Sequence, residues 1–236
     1  MHICMLSKQD HPFGIRLSFF LLFHFSIIPP SDFYIFDPTA MSESESGLPL
    51  ILLDIDGVIN TDGKHSENYF SDLKKVANIR KFTYSPTVIS KINEWSSVAE
   101  IRWLTDWNER ANTIVAPAVG LELFSLGRNE ARNLTKLEAF VDNSQKNPDR
   151  LIIWIDDELM QFKQSNDRSK DTYYNEYLRY HKNIFTRPNT LLISPAIGLT
   201  ADFIQVIDHV LQHPDSVSGQ CVHHFEEGER LFVNRK

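Results

Sequence analysis

The chain has 236 residues and a formal net charge of −7 at neutral pH. This acidic balance is opposite to the positive charge that nucleic-acid-binding proteins usually carry. The only two cysteines, Cys4 and Cys221, exclude a disulfide framework and a metal site built from thiolates. Such sparse cysteine usage is typical of a reducing compartment, so we expect a cytoplasmic protein.

The first 46 residues are expected to lie outside the folded region. Residues 17–28 form an apolar run that resembles the hydrophobic part of a signal peptide, which makes a secreted protein the alternative to a cytoplasmic one. No small-residue cleavage pattern follows this run, and it is too short to span a membrane comfortably. We favour Met41 as the natural start, so residues 1–46 are interpreted as a disordered, signal-like or misassigned extension, and no membrane partner is expected.

The first predicted strand, Leu50–Leu53, runs directly into Asp54, Asp56 and Gly57. Side chains two positions apart on an extended chain point to the same side, so the two carboxylates could converge on one ligand. Two carboxylates this close ionise together only when a cation lies between them, and Mg²⁺ suits such oxygen ligands. Gly57 permits a sharp turn after the strand. The alternative is an ordinary acidic surface loop at the end of a buried strand.

Residues 60–86 could form a flap over this site. The stretch is too short to fold as a separate helical domain. Four of its basic residues could contact a phosphate backbone: Lys74, Lys75, Arg80 and Lys81. A solvated charged surface is the better interpretation in so acidic a chain, so nucleic acid is considered as a partner but is not favoured. A helix is predicted next, because apolar residues recur at helical spacing at Val88, Ile92 and Trp95.

The second predicted strand covers residues 101–104 and ends at Thr105 and Asp106. A hydroxyl and the backbone amides that follow it could bind a phosphate at the start of a helix. The alternative is that Thr105 or Asp106 simply caps the next helix. That helix is suggested by the spacing of Trp107, Ala111 and Ile114, and a weaker strand is predicted near residues 121–125.

The third and fourth candidate elements are a lysine and a strand that ends in carboxylates. Lys136 precedes the apolar positions Leu137, Phe140 and Val141 and lies twenty residues before Asp156. A strand over residues 151–155 delivers Asp156, Asp157 and Glu158 at its end. Three like charges in a row at a strand terminus are unfavourable without a cation. We therefore expect a metal site near Asp156 and Asp157, whereas a lysine taken alone is usually a solvated surface charge.

The rest of the chain contains a tyrosine-rich segment, a strand and a final helix. Tyr173, Tyr177 and Tyr180 have helical spacing, which predicts a short helix packed beside the site or, alternatively, contacts with substrate. A strand is predicted over residues 191–194, and Thr200 should cap a helix that buries Phe203, Ile207 and Val210. Residues 214–236 are predicted to be a polar tail, because Cys221, His223 and His224 lack a second pair of metal ligands.

The strand candidates are short continuous apolar runs, as expected when helices cover both faces of a parallel sheet. We predict an α/β fold with a mostly parallel, five-stranded central sheet. Residues 47–213 would form a single domain of ordinary size. Aromatic residues at helical or strand spacing usually belong to the core. The four tryptophans are interpreted in this way: Trp95, Trp103, Trp107 and Trp154.

The order of these motifs resembles the haloacid dehalogenase (HAD) superfamily of phosphohydrolases over about residues 48–211. More narrowly, the segments 103–107, 154–158 and 195–200 resemble the HAD group that includes the HAD domains of the "Swiss Army Knife" RNA repair proteins. The resemblance implies a Rossmannoid three-layer sandwich with a minimal cap. Only twenty residues separate Lys136 from Asp156, which leaves no room for a cap domain there. An uncapped site favours large or extended phosphorylated substrates.

The resemblance also implies a role for each site residue. Asp54 would be the nucleophile that forms an aspartyl-phosphate intermediate, and Asp56 the general acid and base, with its backbone carbonyl on the metal. Thr105 and Lys136 would bind the phosphoryl oxygens, with Asp106 beside them, and Asp156 and Asp157 would hold Mg²⁺. Three alternatives are a catalytically silent scaffold with this fold, an enzyme that transfers the phosphoryl group to another acceptor, and a phosphatase that processes nucleic-acid ends.

Overall fold

The computed structural model describes residues 47–64, 69–128, 134–159, 180 and 183–226. The predictions for residues 1–46, for Cys4, and for Tyr173 and Tyr177 lie outside the described residues. All other candidate site residues lie within them.

Within these residues, the central sheet has six strands, and every pairing between its neighbours is parallel. The strands are β1 (Leu50–Leu53), β4 (Glu100–Trp103), β5 (Ser125–Leu126), β6 (Ile152–Ile155), β7 (Thr190–Ser194) and β8 (Cys221–Phe225). A separate antiparallel hairpin joins β2 (Lys74–Lys75) to β3 (Thr83–Tyr84). The predicted α/β class with a parallel sheet is confirmed.

The prediction of five strands is wrong, because the region interpreted as a polar tail adds a sixth. Pro214–Val217 forms a short 3₁₀ helix, and β8 then pairs with β7 along its whole length. An edge strand has only one neighbour and stays partly exposed, so it does not need the continuous apolar run by which the central strands are identified. The sheet therefore continues beyond residue 213, the predicted end of the domain.

The principal α-helices in the described part of the chain are α1 (Pro86–Trp95), α2 (Ala116–Val119), α3 (Lys136–Lys146) and α4 (Ala201–Gln212). The predictions for α1 and α4 are confirmed, and Thr200 is the N-cap of α4, although its side chain makes no capping hydrogen bond. None of the described helices combines the length and apolar character needed to cross a bilayer.

The helix predicted from Trp107, Ala111 and Ile114 takes a different form. A π-helical turn, Ala111–Val115, leads directly into α2, and Ile114 is exposed instead of buried. Three spaced apolar positions fit one helical face but do not determine where a helix begins. Trp107 consequently lies before the helical segment, in a turn beside the end of β4.

The core lies on both faces of the sheet. Alternate residues of β1 point to opposite faces: Ile51 and Leu53 pack in the cluster that contains α1 and α4, whereas Leu50 and Leu52 pack in the cluster that contains α3. Helices thus cover both faces, which explains why β1 is uniformly buried and apolar.

The direction in which strands are added to the sheet reverses beside β1. The order is β5-β4-β1-β6-β7-β8, so the chain builds outward from β1 on one side and then reverses to add β6 on the other. In open parallel sheets, ligands bind outside the carboxyl ends of the strands at such a reversal. The carboxyl ends of β1, β4 and β6 are where the sequence places its candidate residues.

Candidate functional site

An acidic cluster occupies the reversal point of the sheet. Asp54 directly follows β1, and Asp156 and Asp157 follow β6, whose last residue pairs in register with Leu53. Each of the three residues offers a carboxylate oxygen, and these atoms all lie within 4.8 Å of one another. Asp54 and Asp156 are buried, and Asp157 is partly buried. The structure therefore brings together three of the four residues predicted to bind metal.

Lys136 is the basic partner of this cluster. Its Nζ atom lies 2.7 Å from Oδ2 of Asp54, 3.0 Å from Oδ2 of Asp156 and 3.7 Å from Oε2 of Glu158. Lys136 is the first residue of α3, after the N-cap Thr135. The reciprocal hydrogen bonds between Thr135 and Glu138 fix the start of the helix, and thereby the position from which the lysine enters the site.

Burial and mutual repulsion shift the ionisation of the cluster. Burial, with the added charge of Asp156, raises the pKa of Asp54 to about 7 despite the opposing effect of Lys136. Burial likewise raises the pKa of Asp156 to about 6 against the effect of Lys136, with Glu158 and Asp157 contributing. Burial alone would lower the pKa of Lys136, but the carboxylates of Asp156, Asp54 and Glu158 outweigh it and raise that pKa above its ordinary value.

The donor set fits a hard divalent cation. Three carboxylates face one ammonium group, so the cluster carries excess negative charge when it is fully ionised. Oδ2 of Asp156 is buried and accepts no hydrogen bond, although Lys136 Nζ lies 3.0 Å from it. The ammonium that pairs with this oxygen also donates to Asp54, so Asp156 Oδ2 keeps lone pairs that Mg²⁺ bound by carboxylate oxygens would satisfy. Asp54, Asp156 and Asp157 are the residues that could hold the ion.

Gly57 is required where the chain passes the cluster. Its φ of +77° lies in the left-handed region, which favours glycine. A Cβ atom at this position would lie 2.7 Å from Cβ of Asp157 and closer still to its carboxyl group. The absence of a side chain at Gly57 thus leaves the space that the Asp157 carboxyl group occupies.

The carboxylate of Asp56 does not join the three clustered carboxylates, contrary to the prediction that it converges with Asp54 on one ligand. The spacing argument assumed an extended chain, but β1 ends at Leu53 and the carbonyl of Ile55 accepts hydrogen bonds from the N–H groups of residues 58–60. The chain has therefore already begun to turn at Asp56.

Two residues that the sequence did not identify hold Asp56. Asn60 Nδ2 donates to Oδ1 of Asp56 at 2.7 Å, and Trp107 Nε1 donates to Oδ2 at 2.8 Å. All four tryptophans were interpreted as core: three are at most 2% exposed, and Trp107, which is partly buried, packs against the same core but also directs its indole N–H to Asp56. Their positions in the sequence could have indicated this role, because Asn60 follows Asp56 closely and Trp107 follows Thr105 closely.

Thr105 and Asp106 differ in their surroundings. Thr105 is buried at the carboxyl end of β4, and its Oγ1 accepts a hydrogen bond from the Trp107 N–H at 3.4 Å. The Asp106 side chain is 79% exposed and pairs with Arg128 at 3.0 Å. Asp106 can thus serve a phosphate only through its backbone N–H, since its carboxylate would repel the anion.

The remaining candidates lie outside the acidic cluster. Tyr180 donates its hydroxyl to Glu138 Oε1 at 3.1 Å, which ties it to the first turn of α3. Cys221 Sγ lies 3.4 Å from His223 Nε2 on β8. The four basic residues predicted near a phosphate backbone are exposed on or beside the hairpin: Lys74, Lys75, Arg80 and Lys81.

Comparisons with known proteins give no match for this chain. No protein-family model matches the sequence, and no curated protein or solved structure shows significant similarity to it. What the site can do must therefore be argued from its geometry and chemistry.

Proposed function

We propose that this chain is a Mg²⁺-dependent phosphohydrolase of the HAD type that acts through an aspartyl-phosphate on Asp54. The observation that carries the proposal is the contact of Asp54, Asp156 and Asp157, with Lys136 among them, at the reversal point of a parallel sheet. Clustered buried carboxylates with one lysine are costly for a purely structural site, because their charges must be compensated. A bound cation would compensate the negative charge of the carboxylates, and Lys136 would contact the phosphoryl group of a substrate.

In the proposed reaction, a carboxylate oxygen of Asp54 attacks phosphorus while the bond from phosphorus to the leaving oxygen breaks. Asp56 donates a proton to the leaving oxygen and, in the second step, accepts one from the water that cleaves the aspartyl-phosphate. The Lys136 ammonium and the Thr105 hydroxyl donate to the phosphoryl oxygens and offset their charge. Mg²⁺, held by Asp54, Asp156 and Asp157, would supply the charge that allows two anions to approach.

We propose a large or extended phosphorylated substrate. Helix α3 and strand β6 fill the chain between Lys136 and Asp156, which supports the expectation that no domain is inserted there. The hairpin between β1 and α1 has only two paired residues in each strand. The exposed lysines of β2 would suit further negative charge on such a substrate, so an end-processing activity on nucleic acid is one form of the proposal. We place this activity in the cytoplasm.

The proposal is tested by assaying phosphate release from p-nitrophenyl phosphate and from 5′- and 3′-phosphorylated oligonucleotides, with and without Mg²⁺. Asp54→Asn should abolish turnover with every substrate. The matched control is Asp202→Asn, which changes an exposed carboxylate in the first turn of α4 and should retain wild-type rates. Rapid acid quenching should trap a phosphoenzyme that is labile to hydroxylamine, as acyl phosphates are.

The alternatives give different results in the same assay. Release from oligonucleotides but not from the small ester would favour end processing. Transfer of the phosphoryl group to an added alcohol in preference to water would favour a phosphotransferase. Failure of the wild-type chain to turn over any substrate, together with no Mg²⁺ binding, would favour a scaffold protein and contradict the proposal.

A further inference from the structure

We infer that Trp107 and Asn60 are positioning residues that hold the Asp56 carboxylate for proton transfer. This inference rests on the proposed function, because it assigns to Asp56 the role of general acid and base. Each carboxylate oxygen of Asp56 accepts one hydrogen bond, from Asn60 Nδ2 at 2.7 Å and from Trp107 Nε1 at 2.8 Å. Two donors on two different oxygens fix the rotation of the carboxylate plane.

Asp56 needs such support because it is exposed. An exposed aspartate ordinarily samples several side-chain rotamers. Proton transfer requires the donor within hydrogen-bond reach of the reacting oxygen, and a small misplacement lowers the rate severely. The buried members of the cluster, Asp54 and Asp156, instead accept hydrogen bonds from the backbone N–H groups of the residues Ile55 and Glu158 and pair with the Lys136 ammonium.

The donor of Asn60 is itself fixed in direction. Oδ1 of Asn60 accepts hydrogen bonds from the backbone N–H groups of Asp62 and Thr83, both at 3.0 Å. With its oxygen occupied by two donors, the amide must present Nδ2 to Asp56. Thr83 belongs to β3, so the hairpin determines the orientation of this side chain.

The donor of Trp107 is held by the same hairpin. The ring of Phe82, the residue before Thr83, packs edge to face against Trp107 with centroids 6.1 Å apart. The guanidinium of Arg110 lies 4.7 Å from the centroid of the Trp107 ring. Both groups that hold Asp56 therefore depend on adjacent hairpin residues, so the hairpin contributes to the orientation of the Asp56 carboxylate.

The test compares the dependence of kcat/KM on the leaving group in wild type and Trp107→Phe. A general acid matters for an alkyl phosphate, whose leaving oxygen needs a proton, and little for p-nitrophenyl phosphate, whose leaving group is stable as an anion. Asp56→Asn should lower kcat/KM for the alkyl ester by roughly 10²–10⁴-fold. The same change should lower kcat/KM for the aryl ester far less. Trp107→Phe should lower the alkyl value by about tenfold, in keeping with loss of one hydrogen bond to a charged group.

The matched control is Trp95→Phe. Trp95 Nε1 also donates to an aspartate, Asp208 Oδ1, at 2.7 Å, but between α1 and α4 and away from Asp56. This control should change kcat/KM for the two esters equally, if at all. The spectroscopic readout is the indole N–H resonance of Trp107, identified by its loss in Trp107→Phe. Asp56→Asn should shift that resonance and leave those of the other tryptophans in place.

The outcomes separate the inference from the proposed function. If Trp107→Phe lowers kcat/KM equally for both esters, or if Asp56→Asn does not shift the Trp107 indole resonance, the positioning role is wrong. The phosphatase proposal would still be supported if the wild type is active and Asp54→Asn is inactive. An inactive wild type contradicts the proposed function, and the positioning role falls with it. Circular dichroism of Trp107→Phe should match wild type, because the substituted ring keeps the aromatic contact with Phe82.

Discussion

The ammonium group of Lys136 lies 2.7 Å from the carboxylate of Asp54, although 82 positions separate the two residues. Both side chains are buried, and Oδ2 of Asp156 lies 3.0 Å from the same ammonium. An exposed ion pair contributes little to stability, but a buried charge that loses its partner is strongly destabilising. Lys136 should therefore have a structural effect that can be measured independently of any reaction.

Lys136→Met should lower the free energy of unfolding by about 3–5 kcal/mol in metal-free protein, because it leaves buried carboxylates without their cation. The measurement is denaturant unfolding at neutral pH. Lys146→Met is the matched control, since Lys146 is on the same helix and pairs at 2.6 Å with Asp142 while 60% exposed. That change should cost at most about 1 kcal/mol. Equal effects of the two substitutions would show that the buried ammonium does not neutralise the cluster.

Asp54→Asn should stabilise the metal-free protein increasingly as the pH rises. The pKa of Asp54 is raised from 3.8 to about 7 in the folded chain. The folded state thus holds its proton more tightly than the unfolded state, so ionisation between about pH 4 and 7 costs wild-type stability. The difference between variant and wild type should widen through this window by at most about 1.4 kcal/mol per pH unit, and then level off.

This difference is measured by denaturant unfolding of both proteins at successive pH values in the presence of a chelator. The subtraction leaves the ionisation of Asp54, together with its coupling to Asp156 and Lys136, because titrating groups away from the cluster act equally in the two proteins. One of these groups is Asp72, whose pKa is lowered because hydrogen bonds from Ser85 and Thr87 outweigh its burial. A constant difference from pH 4 to 7 would contradict the raised pKa.

Mg²⁺ affinity should rise with pH up to about 7. The same raised pKa values of Asp54 and Asp156 mean that the metal must displace protons in the acidic range. Calorimetric titration in two buffers of different ionisation enthalpy would count the protons released. We expect Mg²⁺ to bind more tightly at pH 7.5 than at pH 5.5, and we expect Mg²⁺ binding to release protons within this pH range. Affinity that is independent of pH would argue against these carboxylates as the ligands.

Gly57→Ala should weaken Mg²⁺ binding as well as stability. The new methyl group would meet the Asp157 carboxyl group and displace it, in addition to the strain of a positive φ. Gly120→Ala is the control, because its φ is +83° but nothing lies within 4 Å of the added carbon. Both variants should lose about 1 kcal/mol from the backbone, and only Gly57→Ala should lose metal affinity. Calorimetry and thermal unfolding would separate these effects.

The sequence predicted the parts of the site that follow from strand ends. An apolar run that stops at a carboxylate identifies both β1 and β6, and parallel strands bring their carboxyl ends to one edge. Lys136 was placed by the order of the motifs, and the structure sets it against Asp54. The strand ends could be predicted because they depend on periodicity and on strand direction, whereas Lys136 was placed only by the resemblance in motif order.

The surroundings of Asp56 could not be predicted in the same way. The turn that begins at Ile55 changes where the carboxylate points, and turns depend on hydrogen bonds that a two-residue spacing does not specify. Trp107 was assigned to the core because an aromatic residue at helical spacing usually is. Its contact with Asp56 joins residues 51 positions apart, so only the folded chain reveals it.

The edge strand β8 has a consequence for handling the protein. It pairs with β7 over five residues, and β7 is buried along its whole length. A version of the chain shortened before Cys221 would keep every residue of the site yet expose the hydrogen-bonding edge of an apolar strand. Such edges promote aggregation. Recombinant expression of a chain trimmed in this way should therefore yield insoluble material, although every residue of the candidate site is retained.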